Sequence, residues 1–243
     1  MIAILRIFIL FFLSIFICIF GSIYCALYKP CNPKHAYTFG KLFGYMSFLF
    51  GIKLCIRYPK NIVLPSKCVY ISNHQNNFDM ITVSRAIQKN TITIGKKSLI
   101  WIPFFGILYW ISGNLLINRK NKFNLKKNLN NISNIIIKKK ISVWIFPEGT
   151  RSKIKNLLPF KIGAFYIALN SRVPIIPICV SDTSKIKINK YKNGKVIVEI
   201  LPPIDTKNYN IKQVRNLTEH CRLLMQKKIN EINEEIISEK LKK

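Results

Sequence analysis

Acidic residues are scarce in this chain: 10 Asp and Glu stand against 39 Lys and Arg, giving a formal net charge of +29. A charge-balanced surface is therefore excluded, and a basic one fits nucleic acid, anionic lipid or acidic protein. Heavy use of Lys, Ile and Asn, as in proteins of AT-rich genomes, accounts for the charge equally well without any partner. Histidine is scarcer still, with three residues. No Cys-x-x-Cys and no Cys/His cluster occurs, and the seven cysteines are odd in number. Both facts argue against a zinc site and a disulfide framework. Free thiols in a reducing compartment, acting as small apolar residues, are expected. Internal repeats and low-complexity linkers are also missing, so 243 residues allow one domain with a sizeable core or at most two small ones. With hydrophobic residues at 49%, global disorder is excluded.

What is present begins at the N-terminus. Residues 7–28 carry no charge and are dominated by Ile, Phe and Leu. At about 1.5 Å per residue such a helix crosses a hydrocarbon core of about 30 Å. A cleaved signal peptide needs a shorter apolar region with small residues before the cut, and Tyr24 before Cys25 spoils a lipoprotein-type site. A second apolar stretch, 42–52, lies between Lys41 and Lys53 and is too short to span; it suits an interfacial, re-entrant or core segment. Lys29, Lys34, Lys41, Lys53, Arg57 and Lys60 all follow the first stretch, which places the body of the protein in the cytoplasm. Residues 1–58 are thus read as a hydrophobic anchor, either one span or a half-embedded helical hairpin. Residues 59–243 are read as an α/β domain with a C-terminal helix.

Across that domain short apolar runs alternate with helical patterns. Strands are expected at 69–71, 91–94, 115–117, 142–146, 175–180 and 195–200. Helices are expected at 78–87, 104–112, 123–139, 163–171 and 211–239, with Pro103 suited to a helix start. The alternation implies an α/β sandwich with a mostly parallel central sheet flanked by helices. Ligands of such sheets collect at the carboxyl ends of the strands.

Three motifs fall just after strand runs. In Asn73-His74-Gln75-Asn76-Asn77-Phe78-Asp79, a carboxylate on one imidazole nitrogen fixes the tautomer and leaves the other as a base. Taken alone, His-x4-Asp also fits a structural histidine beside a helix-start aspartate. In Gly113 to Arg119 a short strand delivers Arg119, whose guanidinium can grip a phosphate through paired hydrogen bonds; a solvated basic residue beside an ordinary strand fits as well. In Phe146-Pro147-Glu148-Gly149-Thr150-Arg151-Ser152, Pro147 stiffens the strand exit and Gly149 permits close backbone approach. Glu148 and Arg151 then serve phosphate binding or loop organisation. Downstream, Lys161 adds a cation near a helix start, a natural anion site. Val173 to Ile178 reads as core or as a wall for an acyl chain, and His35 and His220 have no acidic partner at useful spacing. Together the motifs point to chemistry on a phosphorylated alcohol. No serine or cysteine has the context of a nucleophile elbow, so direct attack by a substrate hydroxyl is favoured.

The ordered set of motifs, from about residue 65 to 203, resembles the glycerolipid acyltransferase family, and most closely its bacterial 1-acyl-sn-glycerol-3-phosphate acyltransferases. The segment Lys96-Lys97-Ser98-Leu99-Ile100-Trp101-Ile102-Pro103-Phe104-Phe105-Gly106 fits the same family. The resemblance implies acyl transfer from a thioester to the 2-hydroxyl of lysophosphatidate, in phospholipid biosynthesis at the bacterial inner membrane. His74 matches the general base and Asp79 its orienting residue. Arg119, Glu148, Gly149, Thr150 and Arg151 match the phosphate pocket. No metal or organic cofactor is implied; the donor partner is acyl-carrier protein or coenzyme A, both anionic. Asn76 departs from the serine frequent in the family, which bears on substrate preference. Another lysophospholipid or glycerol 3-phosphate as acceptor, a catalytically silent cationic membrane module, and a nucleic-acid-binding protein are the competing readings.

Overall fold

The computed structural model describes residues 1–118, 125–152 and 156–242. The chain opens with α1 (Ile2–Leu27) and α2 (Pro33–Tyr45). Asn32 caps α2 by accepting from the Lys34 amide, and Pro33 occupies the first turn, where its missing N–H is no loss. A 3-10 turn, Met46–Phe50, leads into β1 (Ile52–Arg57). Then follow β2 (Val69–Ser72), the single-turn α3 (Asp79–Thr82), β3 (Thr91–Lys96), α4 (Phe105–Ile111) and β4 (Leu115–Ile117). The second half contains α5 (Leu125–Lys139), β5 (Ser142–Ile145), α6 (Gly163–Ser171), β6 (Ile175–Val180), β7 (Gly194–Ile200) and the long α7 (Val214–Leu241).

The strands form one seven-stranded sheet in the order β1-β7-β6-β2-β5-β3-β4. All neighbours run parallel except β6 and β7. The expected α/β sandwich with a mostly parallel sheet is thus present. Its central strands are buried on both faces, which is why they read as continuous apolar runs rather than alternating ones. Val69, Ile71, Val143, Ile175 and Ile197 face α5, α6 and α7. Tyr70, Trp144, Ile176, Ile178 and Val198 face α1, α3 and α4 on the other side.

One helix, α1, is long and apolar enough to cross a membrane by length and composition. It does not stand apart from the domain. It packs chiefly on α4, burying Ile17, Cys18, Gly21 and Cys25 along one stripe. Phe8, Phe12, Phe16 and Phe20 remain exposed on it. Its C-terminal end is tied down twice. The Cys31 amide donates to the Ile111 carbonyl at 2.8 Å, and His35 Nε2 lies 2.7 Å from the Tyr28 carbonyl.

The sequence pattern differs from the structure in two places. The helix expected at 78–87 is one α-turn followed by a 3-10 turn, Val83–Ala86, and here the Thr82 and Ser84 hydroxyls donate to the Phe78 and Met80 carbonyls, a back-bonding that bends helices. The apolar stretch 42–52 is not one segment. It is divided among the end of α2, the 3-10 turn and the start of β1. β1 pairs with β7 from Ile52↔Gly194 to Arg57↔Glu199, so the 1–58 segment read as an anchor also supplies an edge strand of the sheet.

Candidate active site

β2 ends at Ser72, and the next residues turn across the carboxyl edge of the sheet. Asn73 steers that turn. Its side chain donates to the Val180 carbonyl at 3.0 Å and accepts from the Val180 amide at 2.9 Å. It therefore continues the β2–β6 ladder by one residue after the backbone has left it. Gln75 adds a second clamp, donating to the Ser181 carbonyl at 2.9 Å and accepting from the Thr183 amide at 3.0 Å. Asn76 donates to Thr183 Oγ1 at 2.8 Å and accepts from the Phe78 amide, also at 2.8 Å, which starts α3.

Between these clamps sits His74. Its Nδ1 lies 2.6 Å from Asp79 Oδ2. The same oxygen accepts from the backbone amides of Gln75 at 2.7 Å and Asn76 at 3.2 Å. Asp79 is buried, and among the described residues its other oxygen has no hydrogen-bond partner. A buried carboxylate held by two amides is fixed in place and ready to stabilise a charged imidazole. The His74 ring also stacks on Phe146, with centroids 4.2 Å apart and planes at 22°. Nδ1 and one ring face are thereby occupied, and Nε2 is left for chemistry. Among the described residues Asp79 is the one hydrogen-bond partner of the ring.

The loop after β5 closes over this histidine from the other side. Gly149 has φ +71 and completes a turn by donating to the Phe146 carbonyl at 3.1 Å. The Ser152 amide donates to the His74 carbonyl at 2.8 Å. Glu148 accepts from the His74 amide at 2.7 Å through Oε1 and from the Leu158 amide at 3.0 Å through Oε2. Burial pushes the Glu148 carboxyl up from its ordinary value, and the two amide hydrogen bonds oppose that rise. Of its two sequence-derived roles, loop organisation is the one this geometry carries. Both oxygens point inward to backbone, and a carboxylate presented to a phosphate would repel it.

Thr150, Arg151 and Lys161 are exposed on the rim of the same loop. A Cβ added at Gly149 would lie 2.8 Å from Lys161 Nζ, so the lysine head folds over this glycine. The Lys161 amide is bound to the Pro147 carbonyl at 2.8 Å. Arg151 forms no ion pair or hydrogen bond among the described residues. Arg151 and Lys161 are thus two exposed cations without an acidic partner among the described residues, on the segments that flank this glycine turn. Arg119 lies outside the described residues; Asn118, just before it, follows the carboxyl end of β4. A separate groove of about 810 Å³ runs along β4, lined by Lys97, Trp110, Leu116 and Lys139 among others, and His74 is not part of it.

Residues 53–181 match the family model described as Acyltransferase. The chain belongs to this acyltransferase family. As a member it is 52% identical, over 97% of its length and 96% of the relative, to the 1-acyl-sn-glycerol-3-phosphate acyltransferase of Escherichia coli strain K12. It is 45% identical, over 97% and 98%, to the enzyme of the same name from Haemophilus influenzae. The crystal structure of the 1-acyl-sn-glycerophosphate acyltransferase from Thermotoga maritima superposes with a TM-score of 0.71 over 95% of this chain and 94% of that one. At 20% identity that likeness speaks to the fold. The family match spans β1 to the end of β6, and so contains both loops that enclose His74. In the sequence of this acyltransferase Asn73 and Gln75 stand inside the His74 motif without an assigned role, and Thr183 lies outside every motif. Their one signal is polar side chains placed directly after the apolar strands β2 and β6.

Proposed function

We propose that this acyltransferase moves a fatty acyl group from a thioester to the 2-hydroxyl of 1-acyl-sn-glycerol 3-phosphate, forming phosphatidate. The observation that carries the reading is the His74–Asp79 pair, 2.6 Å apart, at the carboxyl edge of the sheet beneath a cation-rimmed glycine loop. His74 Nε2 takes the proton of the 2-hydroxyl as its oxygen forms a bond to the thioester carbonyl. Asp79 stabilises the resulting imidazolium. The C–S bond then breaks, and the departing sulfur takes the proton from His74, which restores the neutral base. The substrate oxygen attacks directly, and no acyl-enzyme forms. Arg151 and Lys161, with Arg119, hold the acceptor phosphate, while Gly149 and Thr150 shape the loop that presents them.

The names of the full-length relatives support the acceptor. An acyl-carrier protein or coenzyme A thioester is the donor, and no metal or organic cofactor takes part. The exposed apolar face of α1 supports a seat on a membrane surface, and the proposed surface is the cytoplasmic face of the inner membrane, where thioester donors are made.

The test is acyl transfer in detergent, with lysophosphatidate as acceptor and each thioester donor tried separately. His74→Ala should lose activity by about a hundredfold or more, while Arg151→Ala should chiefly raise KM for the acceptor. Full activity in both variants would remove the basis for this site.

A further inference from the structure

The loop from residue 181 to 193, between β6 and β7, has no part in the acyl transfer described above beyond its first residues. It carries Lys185, Lys187, Lys190 and Lys192, all exposed. Among the described residues none of the four forms an ion pair. The loop is nevertheless built firmly. Ile186 is buried and Ile188 packs on the core beneath the sheet, so the alternating Lys-Ile-Lys-Ile run turns its lysines outward. The Asn193 side chain accepts from the Lys187 amide at 2.8 Å and donates to the Phe50 carbonyl at 2.9 Å. Gly51, with φ +61, lets the loop come close enough that an added Cβ would meet the Tyr191 carbonyl at 2.4 Å.

Arg6 joins this loop to α1. Its guanidinium donates to the carbonyls of Ile188 at 2.8 Å, Lys190 at 2.5 Å and Tyr191 at 2.9 Å. It also lies 5.6 Å from the centroid of the Phe50 ring. The residue is buried, at 7% exposure, and among the described residues it is compensated by these carbonyls and the Phe50 ring, with no acidic partner. A buried guanidinium so held permits little displacement. The loop and the first turns of α1 therefore keep one relative position. Those turns expose Ile4, Leu5, Phe8 and Phe11, and the loop exposes Tyr191 at 72%. Apolar side chains, an amphipathic tyrosine and a row of lysines thus adjoin. That is the order of groups met on passing from hydrocarbon to headgroup phosphate.

We propose that the loop carrying Lys185, Lys187, Lys190 and Lys192, held against α1 by Arg6, is a docking surface for the anionic headgroups of the bilayer in which the outer face of α1 is seated. The proposal rests on the membrane seat of the functional reading and is independent of its chemistry. The continuous apolar surface of α1 beside the lysines favours lipid over an acidic protein or a nucleic acid, which would leave that surface in water.

The experiment uses the full chain made by cell-free synthesis in the presence of vesicles, which are then floated through a density gradient. One set is phosphatidylcholine alone, and the other contains about 30% phosphatidylglycerol. Wild type should favour the anionic vesicles, and salt at about 1 M should abolish the preference. The combined variant Lys185→Gln, Lys187→Gln, Lys190→Gln and Lys192→Gln should bind anionic vesicles about tenfold or more weakly. Its binding to neutral vesicles and its acyl transfer to acceptor in detergent micelles should be unchanged. Arg6→Met keeps all four lysines but releases the loop, and it too should lose anionic preference. No preference in wild type, or full preference in the fourfold variant, overturns the proposal. Binding of a test RNA through the same lysines, without lipid preference, overturns it in favour of a nucleic-acid surface. Loss of acyl transfer with flotation intact bears on the catalytic reading alone.

Discussion

A histidine tied through one nitrogen to a buried carboxylate can use only the other, and position 74 is built around that restriction. Asp79 Oδ2 carries three contacts at once, so small changes in the turn are felt at the ring. Glu148 is the brace whose removal tests this. In Glu148→Gln one acceptor becomes an amide N–H₂ facing a backbone donor, leaving a buried donor unsatisfied at a cost of about 1–3 kcal/mol. Thermal unfolding should show that loss, and kcat should fall more than KM rises, since the brace holds the base rather than the substrate. A rise in KM alone would return Glu148 to the phosphate pocket. The His–Asp pairing was legible from spacing, because a strand exit followed by a helix start brings residues five apart into reach. The role of Glu148 was not legible, since a carboxylate in a glycine loop fits two roles equally and only the direction of its oxygens separates them. Asn73 and Gln75 were silent because their partners come from β6, far away in the chain.

Elements differ in how plainly they announce themselves. β2, β5 and β6 are buried on both faces and give short apolar runs that turn residues punctuate. β1 is an edge strand of intermediate burial, and it follows directly on an apolar turn, so its start is masked by its neighbours. α7 shows how the polar elements are held. Arg57 on β1 and Lys195 on β7 both bind Glu235 of α7. The hydrogen bond from Arg57 and the nearby Lys195 hold the Glu235 carboxyl at about 2, down from 4.5. A carboxylate depressed in the folded state contributes stability above its unfolded value, and that contribution is lost as pH falls from about 4.5 toward about 2. Solvent screening limits it to at most about 1 kcal/mol. Thermal unfolding of wild type should therefore fall more steeply over that range than that of Glu235→Gln. Parallel curves would show that the ion pair adds nothing.

For the whole molecule, composition gave a large positive charge without a location. In the structure six of the ten acidic residues lie on α7 and β7, where Glu199, Glu219, Glu231, Glu235 and Glu239 engage Arg57, Lys195, Arg222 and Lys228. The long apolar α1 was equally plain in sequence, but its side-by-side packing on α4 was not, since a spanning helix and a docked one share the same composition. Docking carries its own prediction. A chain lacking residues 1–28 should not become a well-behaved soluble domain, because Leu108 and the α2 surface would lose their cover. Gel filtration without detergent should find it aggregated, and a monodisperse, fully active monomer would show that α1 is an appendage. The pairing of β1 with β7 has a further consequence in time. Ile52 has no strand partner until Gly194 has been synthesised, and at about 5–20 residues per second that wait is on the order of ten seconds. During it α1 has left the ribosome while the loop that receives Arg6 does not yet exist. α4, on which α1 chiefly packs, is complete by residue 111, so the helix has its main packing partner well before Arg6 has the carbonyls of residues 188–191.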